Sequence, residues 1–289
     1  MQPTGSTHRL GVVTVAAVVP TFRPVTNELV ALVTSLLAAG IPVLVTDDGS
    51  PAIFDPALRA VADLGVTVIR HEGNAGIARG LNEGLGFAVD SGASWLLTVD
   101  QDSALPSGYV DSLLPWAVSG VGVVAAETIN DASGSINYPS RLVDGQVITE
   151  EVIQTGSLWS VKQMQVVGGF DESLGIDAVD AAACLRLREQ GFKVVLAPEV
   201  SLTHHLGNAR QVRIFGKTVL ATGHSAARRT TMVRNRLKLA PAEFRQSPLH
   251  AFRTLRRVAV NVALGALVEE DRLAKAKAGL RGLRPGSKR

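Results

Sequence analysis

WLLTVDQDS, residues 95–103, is an apolar run of strand type that stops on two aspartates bracketing a glutamine. In an extended chain residues two apart face the same side, so Asp100 and Asp102 can present their carboxylates together where the strand runs out. Oxygen-only ligation of this kind suits a hard cation such as Mg²⁺ or Mn²⁺, which takes one or two carboxylates and fills its other positions with phosphate and water. A plain strand-ending turn also uses Asp and Ser, so the rest of the chain has to decide between the two.

Strand and helix patterns alternate around that stretch. Residues 12–19 read as a buried strand, and residues 26–39 place Leu29, Val30, Leu32, Val33, Leu36 and Leu37 at helical spacing before stopping at Gly40. Strands at 43–46 and 66–69 flank a short helix at 56–64. A helix at 77–90 leads to the 95–99 strand, and a proline-opened helix at 106–118 to a strand at 121–126. The alternation predicts an α/β domain with a largely parallel sheet and helices on both faces, in which ligands sit beyond the carboxyl ends of the strands. Polar turn-forming residues collect there: Pro20-Thr21 after the first strand, DDGS at 47–50 after the second, EGNAG at 72–76 after the third, and Asp100-Gln101-Asp102 after the fourth.

With 289 residues and 46% hydrophobic content the chain can bury one large α/β core, alone or with an appendage. The lone Cys184 excludes an internal disulfide and fits a reducing, cytoplasmic setting. The first apolar run is ended by Pro20 and lacks the basic region and cleavage site of a signal peptide. The best other apolar run, 258–268, carries Asn261 and falls short of the ~20 residues that span a bilayer. These features predict a protein that is soluble or peripheral on the inner face of the cell membrane.

The formal charge of +3 hides an asymmetry: residues 1–209 hold 10 Lys/Arg and 22 Asp/Glu, residues 210–289 hold 19 and 4, giving −12 and +15. A boundary near residues 206–213 follows. The basic part carries too few aromatics to stack bases, which argues against nucleic acid. An anionic membrane, phosphorylated ligands, its own acidic domain or a second copy of the chain remain as partners. From residue 251 it mixes Leu255, Val258, Val262, Leu264 and Leu267 with Arg253, Arg256 and Arg257, as an interface helix does.

The motifs VVPTFRP (18–24), VTDDGSP (45–51), EGNAGIARGLNEGL (72–85), LLTVDQDS (96–103), TGSLWS (155–160), VGGFDESLGIDAVDAAACLRLREQGFKVVLAP (167–198), HHLG (204–207) and RRTTMVRNRL (228–237) follow one another across most of residues 15–240. In this order and spacing the chain resembles the family 2 glycosyltransferases of GT-A fold, and within them the rhamnosyltransferase-like group. The resemblance implies a nucleotide-sugar-binding and catalytic domain at 1–209 and a basic helical region at 210–289 for acceptor, membrane or oligomer contacts. It implies an inverting, Mg²⁺- or Mn²⁺-dependent enzyme that moves a sugar from a nucleotide donor to a hydroxyl of a cell-envelope or polysaccharide glycan, lipid-linked glycans included. The TVDQDS form points to rhamnose from dTDP-rhamnose. UDP-linked galactofuranose, glucose or N-acetylhexosamine donors are the alternative.

By the same resemblance Pro20, Thr21, Arg23, Asp48, Asn74, Gly76, Arg79 and Gln101 fall on the donor side, Asp48 accepting from a uracil or thymine N3–H. Asp100, Asp102 and His204 match the metal and diphosphate residues, with His205 the competitor for the histidine assignment. Asp180 matches the general base that takes the acceptor's proton; Asp177, three residues earlier, is its rival and otherwise a ligand of acceptor or diphosphate alongside Arg228 and Arg234. Asp180 also reads as the N-cap of a helix at 181–190. The chain departs from the pattern at Ala182, where the family has Asp or Glu, in its neighbours Ala181 and Ala183, and at Thr230-Thr231, where tyrosines are usual. These departures keep open a sugar-nucleotide-binding protein with impaired turnover. A nucleotidyltransferase would carry a glycine-rich, Lys/Arg-bearing phosphate loop after its first strand, which VVPTFRP lacks.

Overall fold

The structure, a computed structural model, describes residues 14–131, 134–203, 210–214, 217–221, 223–268 and 271–283. Its first part alternates strands β1 (Val15–Thr21), β2 (Val43–Asp47), β3 (Thr67–Arg70) and β4 (Trp95–Thr98) with helices α1 (Thr26–Ala38), α2 (Asp55–Ala62) and α3 (Ile77–Asp90). All three pairings among these strands are parallel, in the order β3-β2-β1-β4. Helix α3 forms because Ala78, Leu81, Leu85 and Ala88 recur at helical spacing and bury one face against β1 and β2. Gly84 lies so close over Val18 that a Cβ there would collide with the valine side chain, which lets the helix settle directly on the sheet.

The second part is mixed. After the short α4 (Tyr109–Leu113) come β5 (Val121–Asp131) and an antiparallel excursion through β6 (Gly134–Asn137), β7 (Ser140–Val143) and β8 (Gln146–Thr149). The chain then returns as β9 (Ser157–Ser160), which slots antiparallel between β4 and β5. The sheet is therefore less parallel than its sequence suggests, because β9 arrives from a hairpin excursion and not from a helical crossover. β10 (Lys193–Thr203), reached through α5 (Val161–Val166) and α6 (Val179–Glu189), restores parallel pairing with β5. The proline-opened helix expected at 106–118 is shortened to α4 and one 3₁₀ turn: Gly108 enters with φ +70°, and Pro115 has no N–H to continue the ladder.

The core is continuous through both parts. All four residues of β4 and of β9 are buried. Trp159 meets Phe170 edge to face at 5.2 Å and donates from its indole N–H to Thr98 Oγ1 at 2.9 Å. Each fully buried Leu, Val or Phe of this kind contributes about 1.5–3 kcal/mol.

After a hairpin of β11 (Arg210–Ile214) and β12 (Lys217–Ala221), three helices close the described chain: α7 (Ala226–Gln246), α8 (Pro248–Val268) and α9 (Arg272–Gly282). Ser225 caps α7, accepting from the Arg228 amide at 3.3 Å. Charged pairs tie these helices to the sheet. Arg188 bridges Glu150 at 2.8 Å and donates to Gln246 at 2.7 Å, and Arg236 binds Glu151 at 2.6 Å. Among the described residues no helix is long and apolar enough to cross a membrane.

Candidate active site

The carboxyl ends of β1 to β4 open onto one face, and a cleft of about 470 Å³ lies there. Its lining combines Pro20, Thr21 and Phe22 at the end of β1, Asp48 after β2, residues 74–77 leading into α3, residues 174–176, and Thr231 and Arg234 of α7. Five residues assigned to the donor side by resemblance, Pro20, Thr21, Asp48, Asn74 and Gly76, thus meet in one wall.

Each part of that wall has a fixed shape. The Asp48 carboxylate accepts from the Ala75 amide at 2.6 Å and the Gly76 amide at 3.1 Å, so it draws the 74–76 loop toward the end of β2. Most of this bonding falls on Oδ1, and Oδ2, which accepts from the Gly76 amide at 3.2 Å, keeps acceptor capacity. Gly76 has φ +88°, and a Cβ on it would stand 2.6 Å from the Gly175 carbonyl oxygen, so the two loops touch backbone to backbone. Gln101 sits outside the lining and serves the turn behind it: its Oε1 accepts from the Thr21 hydroxyl at 2.5 Å and the Phe22 amide at 2.9 Å, while its Nε2 donates to the Phe22 carbonyl at 3.1 Å.

Arg23 and Arg79 lie away from the lining. Arg23 is stacked over the Phe22 ring at 4.9 Å, and Arg79 is turned to Glu83 at 3.3 Å, one helical turn along α3. Two residues passed over by the sequence reading stand close by: buried His71 is 3.3 Å from Asp48 through Nδ1 and 2.9 Å from Glu83 through Nε2. His71 directly follows β3, so the strand-end rule that singled out Asn74 would also have reached it.

β4 ends at Thr98, so Asp100 and Asp102 stand in the turn beyond it and the alternation of an extended chain does not govern them. The turn nevertheless brings the two carboxylates within electrostatic reach. Burial and then the neighbouring Asp102 push the Asp100 carboxyl up to about 7, against the opposing pull of the Gln154 amide and of Arg228. Thr155 accepts from the Asp100 amide at 2.9 Å, and the Gln154 side-chain amide donates to the Asp100 carboxylate. Two crowded carboxylates offering only oxygen fit a hard divalent cation, whose charge would relieve their repulsion. A second acidic group, Glu151, Glu243 and His250, gathers its ligand atoms within 4.8 Å, but Arg236 lies 2.6 Å from Glu151 and 3.7 Å from Glu243 and already supplies the positive charge there. His204 lies outside the described residues.

Asp180 stands in the first turn of α6, whose N-cap is Ala178 at φ +64°. It is therefore not the N-cap itself, and its carboxylate accepts from the adjacent Ala181 amide at 2.8 Å. Burial raises its pKa to about 6, Glu151 and Asp177 adding to the effect and Arg236 opposing it. Asp177 is committed elsewhere, forked onto Arg228 with contacts of 3.0–3.3 Å. Ala181, Ala182 and Ala183 all face the core, at 2%, 2% and 0% exposure. The departure at Ala182 therefore removes no group from the cleft.

The geometry is thus a cleft at the strand ends with Asp100 and Asp102 outside its lining, joined to its Thr21–Phe22 wall through Gln101. The sequence profile described as glycosyl transferase family 2 matches residues 16–162, half of the chain. The chain belongs to glycosyl transferase family 2. This family 2 glycosyltransferase is 27% identical over 233 residues to the dTDP-rhamnosyl transferase RfbF of Shigella flexneri, covering 76% of the chain and 77% of that relative. In fold it is similar to the mannosyltransferase PcManGT of Pyrobaculum calidifontis, solved in complex with GDP-Man and Mn²⁺: TM-score 0.55, 15% identity, 95% of this chain and 76% of that one. It is also similar to TarS of S. aureus, with TM-score 0.58 and 15% identity over 93% of this chain, which spans about half (48%) of that protein.

Proposed function

We propose that this family 2 glycosyltransferase is a rhamnosyltransferase that uses dTDP-rhamnose, inverts the anomeric centre, and delivers the sugar to a hydroxyl of a cell-envelope or polysaccharide glycan. The cleft carries this reading: a nucleoside-sized space joins Asp48, the 74–76 loop and the Pro20-Thr21 turn beside the Asp100–Asp102 pair. The similarity to a dTDP-rhamnosyl transferase supports the choice of donor.

In this reading Oδ2 of Asp48 accepts from the N3–H of the pyrimidine ring, and Gly76 allows close approach of the nucleoside. Asp100 and Asp102, with His204, would hold Mg²⁺ or Mn²⁺. When bound, the cation supplies countercharge for the diphosphate. Arg228 and Arg234 add positive charge from α7, Arg228 oriented by Asp177. Asp180 removes the proton from the acceptor hydroxyl as its oxygen attacks the anomeric carbon. The bond from that carbon to the diphosphate oxygen breaks, and the nucleoside diphosphate departs with the bonding pair. The basic helices would hold this chemistry at the inner membrane surface, through the apolar and arginine-bearing outer face of α8.

The test is a donor panel. dTDP-rhamnose, UDP-galactofuranose, UDP-glucose and UDP-N-acetylglucosamine are titrated with Mn²⁺ into the full chain and into Asp102→Asn. Tightest binding of dTDP-rhamnose, lost on chelation and in the variant while the fold persists, is the expected result. Preference for a UDP-sugar moves the donor, and binding indifferent to both chelation and Asp102→Asn overturns the cation assignment.

A further inference from the structure

Asn235 is an amide on α7 with 2% exposure, and its Nδ2 faces three backbone carbonyls of one turn: Leu174 at 3.0 Å, Ile176 at 2.9 Å and Asp177 at 2.9 Å. A primary amide has two hydrogens, so the three acceptors share them, and the Leu174 carbonyl also accepts from the Ile176 amide at 2.7 Å. The turn held in this way is conformationally costly. Gly175, Asp177 and Ala178 all have positive φ, at +64°, +65° and +64°, and two of the three carry a Cβ. Such a backbone persists only where its surroundings over-determine it.

What the turn does is visible on either side of it. Leu174, Gly175 and Ile176 line the cleft together with Asp48, and the Gly175 backbone abuts Gly76, whose amide binds the Asp48 carboxylate. At its other end Asp177 forks onto Arg228 of α7. One buried amide on a C-terminal helix therefore holds both a wall of the cleft and the carboxylate that orients Arg228.

We propose that Asn235 is a positioning residue for donor binding, clamping the 174–177 turn so that it walls the nucleotide cleft and aims Asp177 at Arg228. The proposal rests on the reading of the cleft as the donor site. Asn235→Ala removes the donor that the three carbonyls share, and Asn235→Asp sets a carboxylate against them, so the second is the more severe.

The experiment compares the full chain with Asn235→Ala and Asn235→Asp by calorimetric titration of dTDP with Mn²⁺, well below the melting temperature, and by hydrogen exchange of residues 174–178. The expected result is a dissociation constant raised about tenfold or more in the alanine variant and further in the aspartate variant. Exchange should quicken at 174–178 while the β1–β4 strands keep their protection. A residue with a merely structural role would lower the melting temperature and leave the dissociation constant unchanged, which overturns the proposal, as does unaltered exchange at 174–178. If Asn235→Ala does not fold, Asn235→Ser, which keeps one donor, is judged by the same criteria. A parent chain that binds neither dTDP nor UDP overturns the donor reading and the clamp with it. A parent that binds while its variants bind equally well removes the clamp alone.

Discussion

At Asp180 the burial that makes the acid weak also makes its conjugate base strong. Folding raises the carboxyl from 3.8 to about 6, so the folded protein holds this proton more tightly than the unfolded chain does. The group's stabilising contribution is then complete below about pH 4 and is lost as the pH rises through 6. Two outcomes follow from one substitution. Asp180→Asn should lower transfer by about 10²–10⁴-fold, the usual contribution of a general base. In urea titrations of the unliganded protein it should also gain stability relative to the parent between pH 4 and pH 7.5, on the order of 1–3 kcal/mol. Parallel stability curves for parent and variant across that range would refute the buried charge. In the parent, the transfer rate should fall as the pH drops below about 6, and a profile flat to pH 5 would remove the assignment from Asp180.

Among the elements, the meeting of the 74–76 and 174–176 loops is the tightest constraint on the cleft. Gly76→Ala must place a Cβ against the Gly175 carbonyl and force an L-residue to φ +88°. It should cost about 2 kcal/mol or more and weaken nucleotide binding at the same time, read by urea denaturation and by calorimetry. A stable variant with parental affinity would show that the loops part freely. The elements of the first half were legible in the sequence because each strand is a short apolar run and each helix repeats its apolar residues every three to four positions, as in Leu29, Leu32, Val33 and Leu36. The strand ends then pointed to Pro20, Asp48, Asn74 and Gly76. The direction of β9 was not legible: SLWS is buried at every position, and a fully buried run carries no mark of orientation or neighbour. His71–Glu83 and Asn235 with its carbonyls were hidden for a related reason, since contacts made across 12 or about 60 residues leave no local period.

On the scale of the whole molecule, the opposed charges of −12 and +15 meet only in part. Arg236 pairs inside with Glu151, and Arg228 with Asp177. On the outer face of α8, Arg253 and Arg256 remain exposed beside Leu249 at 59%, Phe252 at 62% and Val260 at 50% exposure. A second copy laid on this face would bring like charges together, whereas anionic lipid would meet both its charge and its apolar groups. The full chain should therefore co-sediment with phosphatidylserine-containing liposomes and not with neutral ones. Leu249→Ser with Phe252→Ser should weaken sedimentation, and salt should do the same, because each basic residue near such a surface contributes about 1 kcal/mol. Equal sedimentation on neutral and anionic liposomes would assign the face to protein packing. The position of β9 bears on how the molecule comes into being. During synthesis, β1 to β4 can pair as they emerge, but β5 has no place beside β4 until residues 157–160 follow it, and its other edge waits for β10. The growing chain must therefore keep an eleven-residue strand, paired only with β6 over residues 128–131, from aggregating while about thirty further residues bring β9 and about sixty bring β10, so the translation of that interval is when this protein most needs a chaperone.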